Sequence, residues 1–260
     1  MKRILVTGAE GQLGRCLKDF VLKSGNKEFQ FVFMDKQQLD ITRKELIETF
    51  FFSNKIDYCI NCAAYTNVDL AETEVEKAFS VNSDGPAFLA EECKEQGAVL
   101  IHISTDYVFD GNADYPYLPD DLPNPVNVYG KSKLEGERRA VNQNPKTIIV
   151  RTSWLYSRYG KNFYTTMLRL MAEKDELNVV SDQIGKPTDA NDLAEFLYHL
   201  VESGQSEPKI YHFAGKEQMS WYEFAQKIAK ENGFKTRINP IPTAQYPTPA
   251  VRPKWSVLGE

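Results

Sequence analysis

No stretch of these 260 residues is apolar for long enough to cross a bilayer. Runs such as Ile4–Val6 are strand-length, against the roughly 20 residues a spanning helix needs. Basic residues are too few for a nucleic-acid face: 31 Lys and Arg stand against 36 Asp and Glu, a formal net charge of -5, whereas phosphates reward a basic stripe. Cysteine is sparse as well. Of Cys16, Cys59, Cys62 and Cys93, only Cys59 and Cys62 make a C-x-x-C pair, with no second pair to complete a zinc site. Both fall at the end of a predicted buried strand rather than at a helix start, where a thiolate would be stabilised, so packing is their expected role. A secretory leader is missing too, because Met1-Lys2-Arg3 runs directly into an apolar strand that ends at a glycine turn. The expectation is a cytoplasmic enzyme with no membrane or nucleic-acid partner.

The composition, 42% hydrophobic and 26% charged, is ordinary globular usage. The length suits one large α/β domain, or a cofactor-binding domain with a smaller lobe. Strand and helix patterns alternate: Arg3 to Thr7, a helix from Gln12 to Lys23, Phe29 to Met34, a helix around Arg43 to Phe52, and Tyr58 to Asn61. A polar loop, a helix from about Glu74 to Glu95, the strand Val99 to Ile103, a helix from about Asn127 to Asn142 and the strand Thr147 to Val150 follow. This order predicts a doubly wound parallel sheet, Rossmann-like, over residues 1–150. Residues 151–260 are assigned mainly to a smaller C-terminal lobe for substrate, with helices at Phe163 to Ala172, Asn191 to Glu202 and Trp221 to Asn232 and a strand at Ile210 to Phe213. Segments near 177–202 are candidates to return to the main sheet. Pro240 to Pro253 reads as an extended loop.

Gly8, Gly11 and Gly14 follow the first strand with G-x-x-G-x-x-G spacing and open the first helix. Glycines there permit a tight turn and close backbone approach to a pyrophosphate, and the helix offers free N–H groups and its positive dipole end. The second strand is followed by Asp35 and Lys36, an acid suited to ribose hydroxyls and a base suited to a 2′-phosphate, so NADH and NADPH both stay open.

Tyr129 and Lys133 lie four apart in a helical segment, hence on one face. An ammonium roughly 4 Å from a phenol favours the phenolate by up to about 4 kcal/mol at an effective dielectric of 20, about three pKa units. Tyr129 is therefore expected to titrate near neutrality and to protonate the alkoxide left by hydride delivery to a carbonyl. Thr105, just beyond the strand Val99 to Ile103, is placed to hold the same oxygen, with Ser104 its competitor.

These residues resemble the extended short-chain dehydrogenase/reductase superfamily and, within it, the dTDP-4-dehydrorhamnose reductase family. The resemblance is carried by Thr7-Gly8-Ala9-Glu10-Gly11-Gln12-Leu13-Gly14, Asn61-Cys62-Ala63-Ala64-Tyr65-Thr66-Asn67-Val68-Asp69, Ser104-Thr105-Asp106-Tyr107-Val108-Phe109-Asp110-Gly111 and Asn127-Val128-Tyr129-Gly130-Lys131-Ser132-Lys133. It extends through Arg151-Thr152-Ser153-Trp154 to Arg252-Pro253. It implies reduction of the 4-keto group of dTDP-4-dehydro-L-rhamnose by NADPH or NADH, with Thr105, Tyr129 and Lys133 at the catalytic positions. It further implies that Gly8, Gln12 and Leu13 touch the pyrophosphate, that Asp40 and Ile41 lie near the adenine, and that Ala63, Ala64 and Tyr65 line the cofactor cleft. Toward the sugar nucleotide it implicates Val68, Asp69, Asp106, Tyr107, Trp154 and Arg252, and Asn82 matches an active-site asparagine. For four of these a plainer role stands beside the ligand role: Trp154 as core, Asp69 as a helix cap, Arg252 as a surface cation, Asn82 as a polar helix residue satisfied by backbone.

The sequence departs from the family pattern in two places. Some members are magnesium-bridged dimers that use acidic side chains, but Cys16 and Asn191 stand at the matching positions, so no metal is expected, and the chain is expected to be a monomer or weak homodimer. Relatives also continue into a final helix beyond the point where this sequence reaches Glu260, which reads either as trimming or as a lobe lacking a part. The resemblance leaves two rivals open: a reductase or epimerase of another nucleotide-linked sugar, and a non-catalytic regulatory subunit of the methionine adenosyltransferase type.

Overall fold

The first strand is buried continuously from Ile4 to Thr7 because both faces of its sheet are covered: Ile4 and Val6 enter one apolar core and Leu5 the other. The computed structural model describes residues 1–260. In chain order it has β1 (Lys2–Thr7), α1 (Gln12–Ser24), β2 (Phe29–Met34), α2 (Lys44–Ser53), β3 (Tyr58–Asn61), α3 (Val68–Ala71), α4 (Val75–Phe79), α5 (Gly85–Gln96) and β4 (Val99–Thr105). Then come α6 (Val128–Gln143), β5 (Thr147–Thr152), β6 (Leu155–Tyr156), α7 (Phe163–Glu173), β7 (Glu176–Val180), β8 (Ile184–Gly185) and β9 (Thr188–Asp189). Last are α8 (Ala190–Glu202), β10 (Lys209–Phe213), β11 (Met219–Ser220), α9 (Trp221–Glu231) and β12 (Arg237–Ile241).

Six strands form a parallel sheet in the order β2-β1-β3-β4-β5-β10. The order reverses between β1 and β3, and the crevice beyond their carboxyl ends is where open α/β sheets bind ligands. On one face α1 and α8 pack together through Leu13, Leu17, Leu193 and Leu197. On the other, α2, α5 and α6 cover Leu5, Cys59 and Leu100 with Ile47, Phe51, Leu89 and Ala140. A fully buried aliphatic side chain of this kind contributes about 1.5–3 kcal/mol.

The smaller lobe has its own core of Met167, Met171, Leu177, Val179, Phe224 and Ile228, held between α7, α9 and the parallel pair β7–β12. Asn162 and Thr165 close a capping box on α7, and Ser220 and Glu223 close one on α9. No helix is long and apolar enough to cross a membrane.

Four expectations are corrected. The strand predicted at Ile210 to Phe213 and assigned to the lobe is the sixth strand of the main sheet, paired with β5. The segment near 177–180 does not join that sheet but pairs with β12, whereas α8 does return to it. The proline-rich tail opens on a strand, since Pro240 lies within β12. The helix predicted from Glu74 to Glu95 is interrupted at Ser80–Asp84 by a π turn, in which the Gly85 N–H bonds Ser80 O, five residues back. Pro86 has no N–H to offer the carbonyl of Asn82, so the ladder shifts register there.

Candidate active site

The turn between β1 and α1 is fixed by Gly8, whose φ of 67° is left-handed and whose missing Cβ would lie 2.6 Å from the Ala63 nitrogen. Gly11 caps α1 without any side-chain bond, so the first-turn N–H groups of Gln12 and Leu13 stay open toward the crevice. This is an anion site built from backbone alone. The Gln12 side chain faces elsewhere: its amide donates to Leu155 O at 3.2 Å and accepts from Asn162 at 3.2 Å, tying the turn to the lobe.

At the end of β2, Asp35 accepts the backbone N–H groups of Gln37 and Gln38 at 2.8 and 2.9 Å, while Lys36 is exposed and 4.0 Å from Asp40. Asp40 holds Thr42, and Ile41 is buried against Gly85.

Beyond β1, β3, β4 and β5 lies a cleft of about 610 Å³, lined on the sheet side by Gly11, Gln12, Leu13, Cys62 and Ala64 and floored by Ser104, Thr105, Asp106, Tyr129, Lys133 and Thr152. Trp154, Phe163 and Trp221 close it from the lobe. Asn127 caps α6 by accepting the Gly130 N–H at 2.8 Å, which sets the helix that carries Tyr129 and Lys133. Gly130 is required by contact, since a Cβ there would sit 2.1 Å from Tyr107 O. The Tyr129 ring meets Tyr107 edge-on at 5.7 Å.

Desolvation pushes the Tyr129 hydroxyl up to about 12, partly offset by Thr105. That reverses the expected near-neutral titration. The reason is geometric: Lys133 is buried and turned to the sheet, donating to Ile103 O at 2.6 Å and meeting His102 Nε2 at 3.4 Å, and burial pulls it down to about 8. The Thr105 hydroxyl donates to Asp106 Oδ1 at 3.0 Å and accepts the Tyr107 N–H. Asp106 is buried, its other oxygen lacks a partner, and desolvation raises its carboxyl to about 7 despite nearby Ser256 and Thr105. Ser104 and Thr152 hydroxyls are unpartnered at the same floor, so three buried polar groups await a ligand. The Cys62 thiol, half-buried at the cleft, is driven up to about 12 by burial and so stays protonated at neutral pH.

The other candidates divide. Ala64, Val68, Asp106, Tyr107 and Trp154 line the cleft, but Asn82, Tyr65, Asp69 and Arg252 do not face it. Asn82 spends its amide on Tyr65 N (2.8 Å), Tyr65 O (3.0 Å) and Ser132 Oγ (3.0 Å), so it clamps the Tyr65 loop to α6 instead of meeting substrate. The Tyr65 hydroxyl is taken by Glu74 at 2.8 Å. Asp69 and Arg252 bind each other through two parallel bonds of 2.9 and 2.8 Å, leaving the guanidinium fork filled by a carboxylate rather than free for a diphosphate.

Sequence reasoning passed over Asn61, His102, Phe163 and Trp221. Trp221 stacks on Trp154 with ring centroids 3.4 Å apart, and Trp154 alone among non-glycine residues has positive φ, 46°. The helix beginning at Trp221 is legible in the sequence, but nothing local reveals that its first indole lies against another in the cleft wall.

A family model described as the RmlD substrate binding domain matches residues 1–260. A dTDP-4-dehydrorhamnose reductase of Aggregatibacter actinomycetemcomitans is 44% identical over 99% of this chain and 90% of its own length. The crystal structure of a dTDP-4-dehydrorhamnose reductase from Bacillus anthracis in complex with NADP superposes with a TM-score of 0.95 at 39% identity, covering 100% of this chain and 91% of that one. One from Clostridium acetobutylicum gives 0.94 at 42%, covering 99% and 90%. A glycine turn facing a Tyr129–Lys133 helix across one cleft, matched from end to end by these proteins, makes this chain a member of the RmlD family, that of the dTDP-4-dehydrorhamnose reductases.

Proposed function

We propose that the chain reduces the 4-keto group of dTDP-4-dehydro-L-rhamnose to give dTDP-L-rhamnose, with NADPH or NADH as reductant. The observation that carries this reading is the convergence of Thr105, Tyr129 and Lys133 on the cleft that the glycine turn opens into. The dinucleotide fits the residues present: Gly8 lets the turn pack directly on Ala63, the first N–H groups of α1 are open, and Ser104, Asp106 and Thr152 each have an unpartnered oxygen at the floor. Gly8, Gly11, Gln12, Leu13 and Gly14 would hold its pyrophosphate, Asp35, Lys36, Asp40 and Ile41 its adenosine end, and Ala63 and Ala64 the cleft wall. When bound, it supplies the hydride.

Tyr129 then protonates the sugar oxygen. With its hydroxyl raised to about 12 it is fully protonated at neutral pH, the form a proton donor needs. Thr105 steadies the same oxygen, and Lys133, one turn along α6, orients the nicotinamide end. Val68, Asp106 and Tyr107 from the main domain and the Trp154–Trp221 stack from the lobe would grip sugar and base, while the rest of residues 1–150 chiefly serves the cofactor. We place the enzyme in the cytoplasm as a monomer or weak homodimer.

The test is the fall in NADPH and, separately, NADH absorbance on adding dTDP-4-dehydro-L-rhamnose, with and without a chelator. Oxidation that survives the chelator is expected. Burial raises the Cys16 thiol, and the Asn191 amide is held by Asp189, so neither position offers a hard-cation ligand. Cofactor binding without oxidation would sink the reading.

A further inference from the structure

Behind Lys133 runs a fully buried chain of hydrogen bonds whose direction can be read from one end. The Ala63 backbone N–H can only donate, and it meets Asn61 Oδ1 at 3.1 Å, as does the Thr7 hydroxyl at 2.7 Å. The acceptor end of the Asn61 amide is thereby fixed, and its Nδ2 donates to His102 Nδ1 at 3.1 Å. Nδ1 is then an acceptor, so the proton of the neutral ring sits on Nε2. Nε2 points at Lys133 Nζ, 3.4 Å away. An ammonium there would set donor against donor, whereas an amine can accept from Nε2–H while donating to Ile103 O at 2.6 Å.

From this donor order we infer that His102, held by Thr7 and Asn61, is a positioning residue that disfavours the charged form of Lys133 in the free protein. The inference rests on the reductase reading only for its consequence, that any lysine left as the amine must gain a proton before it helps Tyr129. Two further observations agree with it. Burial lowers His102 far below the usual histidine range, so the ring stays neutral, and burial also pulls Lys133 down to about 8, where the amine is still the minor form at pH 7 and gains ground just above it. The other groups facing Lys133 are Glu137, one turn on along α6, and Cys62 after β3. Both favour the charged lysine, but Glu137 is engaged in a bidentate pair with buried Arg151 at 2.8 and 3.0 Å, and burial outweighs them.

The ring tautomer decides the matter directly. The chain has three histidines, so histidine-labelled protein gives three ring systems in a long-range proton–nitrogen correlation spectrum. His212 is an internal reference of the opposite kind: its Nδ1 faces the carbonyls of Tyr117 and Gly259 at 3.0 Å each, and its Nε2 faces Arg151. At pH 7 the expected result is protonation on Nε2 in His102 and on Nδ1 in His212. A His102 proton on Nδ1, or on both nitrogens, overturns the inference. In Asn61→Asp the carboxylate accepts from Nδ1–H, which turns Nε2 into an acceptor for an ammonium. The nitrogen resonance of Lys133 should then titrate about one pH unit or more higher, together with a flipped His102. A Lys133 shift without the flip, or neither change, overturns it. If that variant does not fold, the wild-type tautomer still decides. All readouts use the ligand-free chain, so they stand or fall separately from turnover.

Discussion

The two walls of the cleft would, on the proposed function, recognise a ligand by different means. The sheet wall does so with backbone, through a left-handed glycine and the uncapped start of α1, so its specificity lies in what is missing from the side chains. The lobe wall does so with large side chains, Trp154 stacked on Trp221 with Phe163 tilted against it at 4.6 Å. A backbone site depends on residues adjacent in sequence. A side-chain wall depends on two helices and a strand end arriving from far apart.

The sharpest way to separate the walls is to disable the chemistry between them. Tyr129→Phe should lower kcat by about 10²–10⁴-fold and leave dinucleotide binding near wild type, measured by fluorescence titration and steady-state kinetics. Asp106 lies at the seam and tests its electrostatics. Its folded carboxyl is raised, so its contribution is full below about pH 4, the usual carboxylate value, and is lost as pH rises through about 7. Asp106→Asn carries no such loss, so its melting advantage over wild type should grow from pH 4 to pH 8 and reach on the order of a few kcal/mol. A constant difference across that range would show that the carboxyl is not held up.

Gly8→Ala should damage only the sheet wall. It forces a Cβ into Ala63 at positive φ, at a cost of about 1–3 kcal/mol, and should weaken dinucleotide binding by about tenfold or more. Trp221→Ala should do the converse and raise KM for the sugar nucleotide a few-fold to about tenfold, the scale of one aromatic pair at about 0.5–1.5 kcal/mol, with the dinucleotide Kd unchanged. Equal effects of both variants on both ligands would erase the distinction.

The same contrast explains what could be read from the residues. The strand–glycine–helix unit and the Tyr129–Lys133 face are local patterns, and the structure has them where the spacing put them. Asp69 and Arg252 show the limit: each has the right chemistry for a ligand, but only the folded chain reveals that they satisfy one another. The pairing of Lys133 with His102 is another such case, because the spacing to Tyr129 is visible in a helix pattern and the direction of the lysine side chain is not. The strand Lys209–Phe213 looked like part of the lobe because it follows the lobe's first elements, and short strands do not announce their neighbours.

That last strand has a bearing on how the protein is made. The chain leaves the main sheet after β5, builds much of the lobe, and comes back to supply α8 against α1 and β10 against β5 before leaving again. During synthesis, Leu13 and Leu17 therefore remain uncovered until Leu193 and Leu197 emerge. The nascent chain must carry a half-closed Rossmann core for that whole interval, which makes the first 190 residues the stretch where a folding chaperone has most to shield.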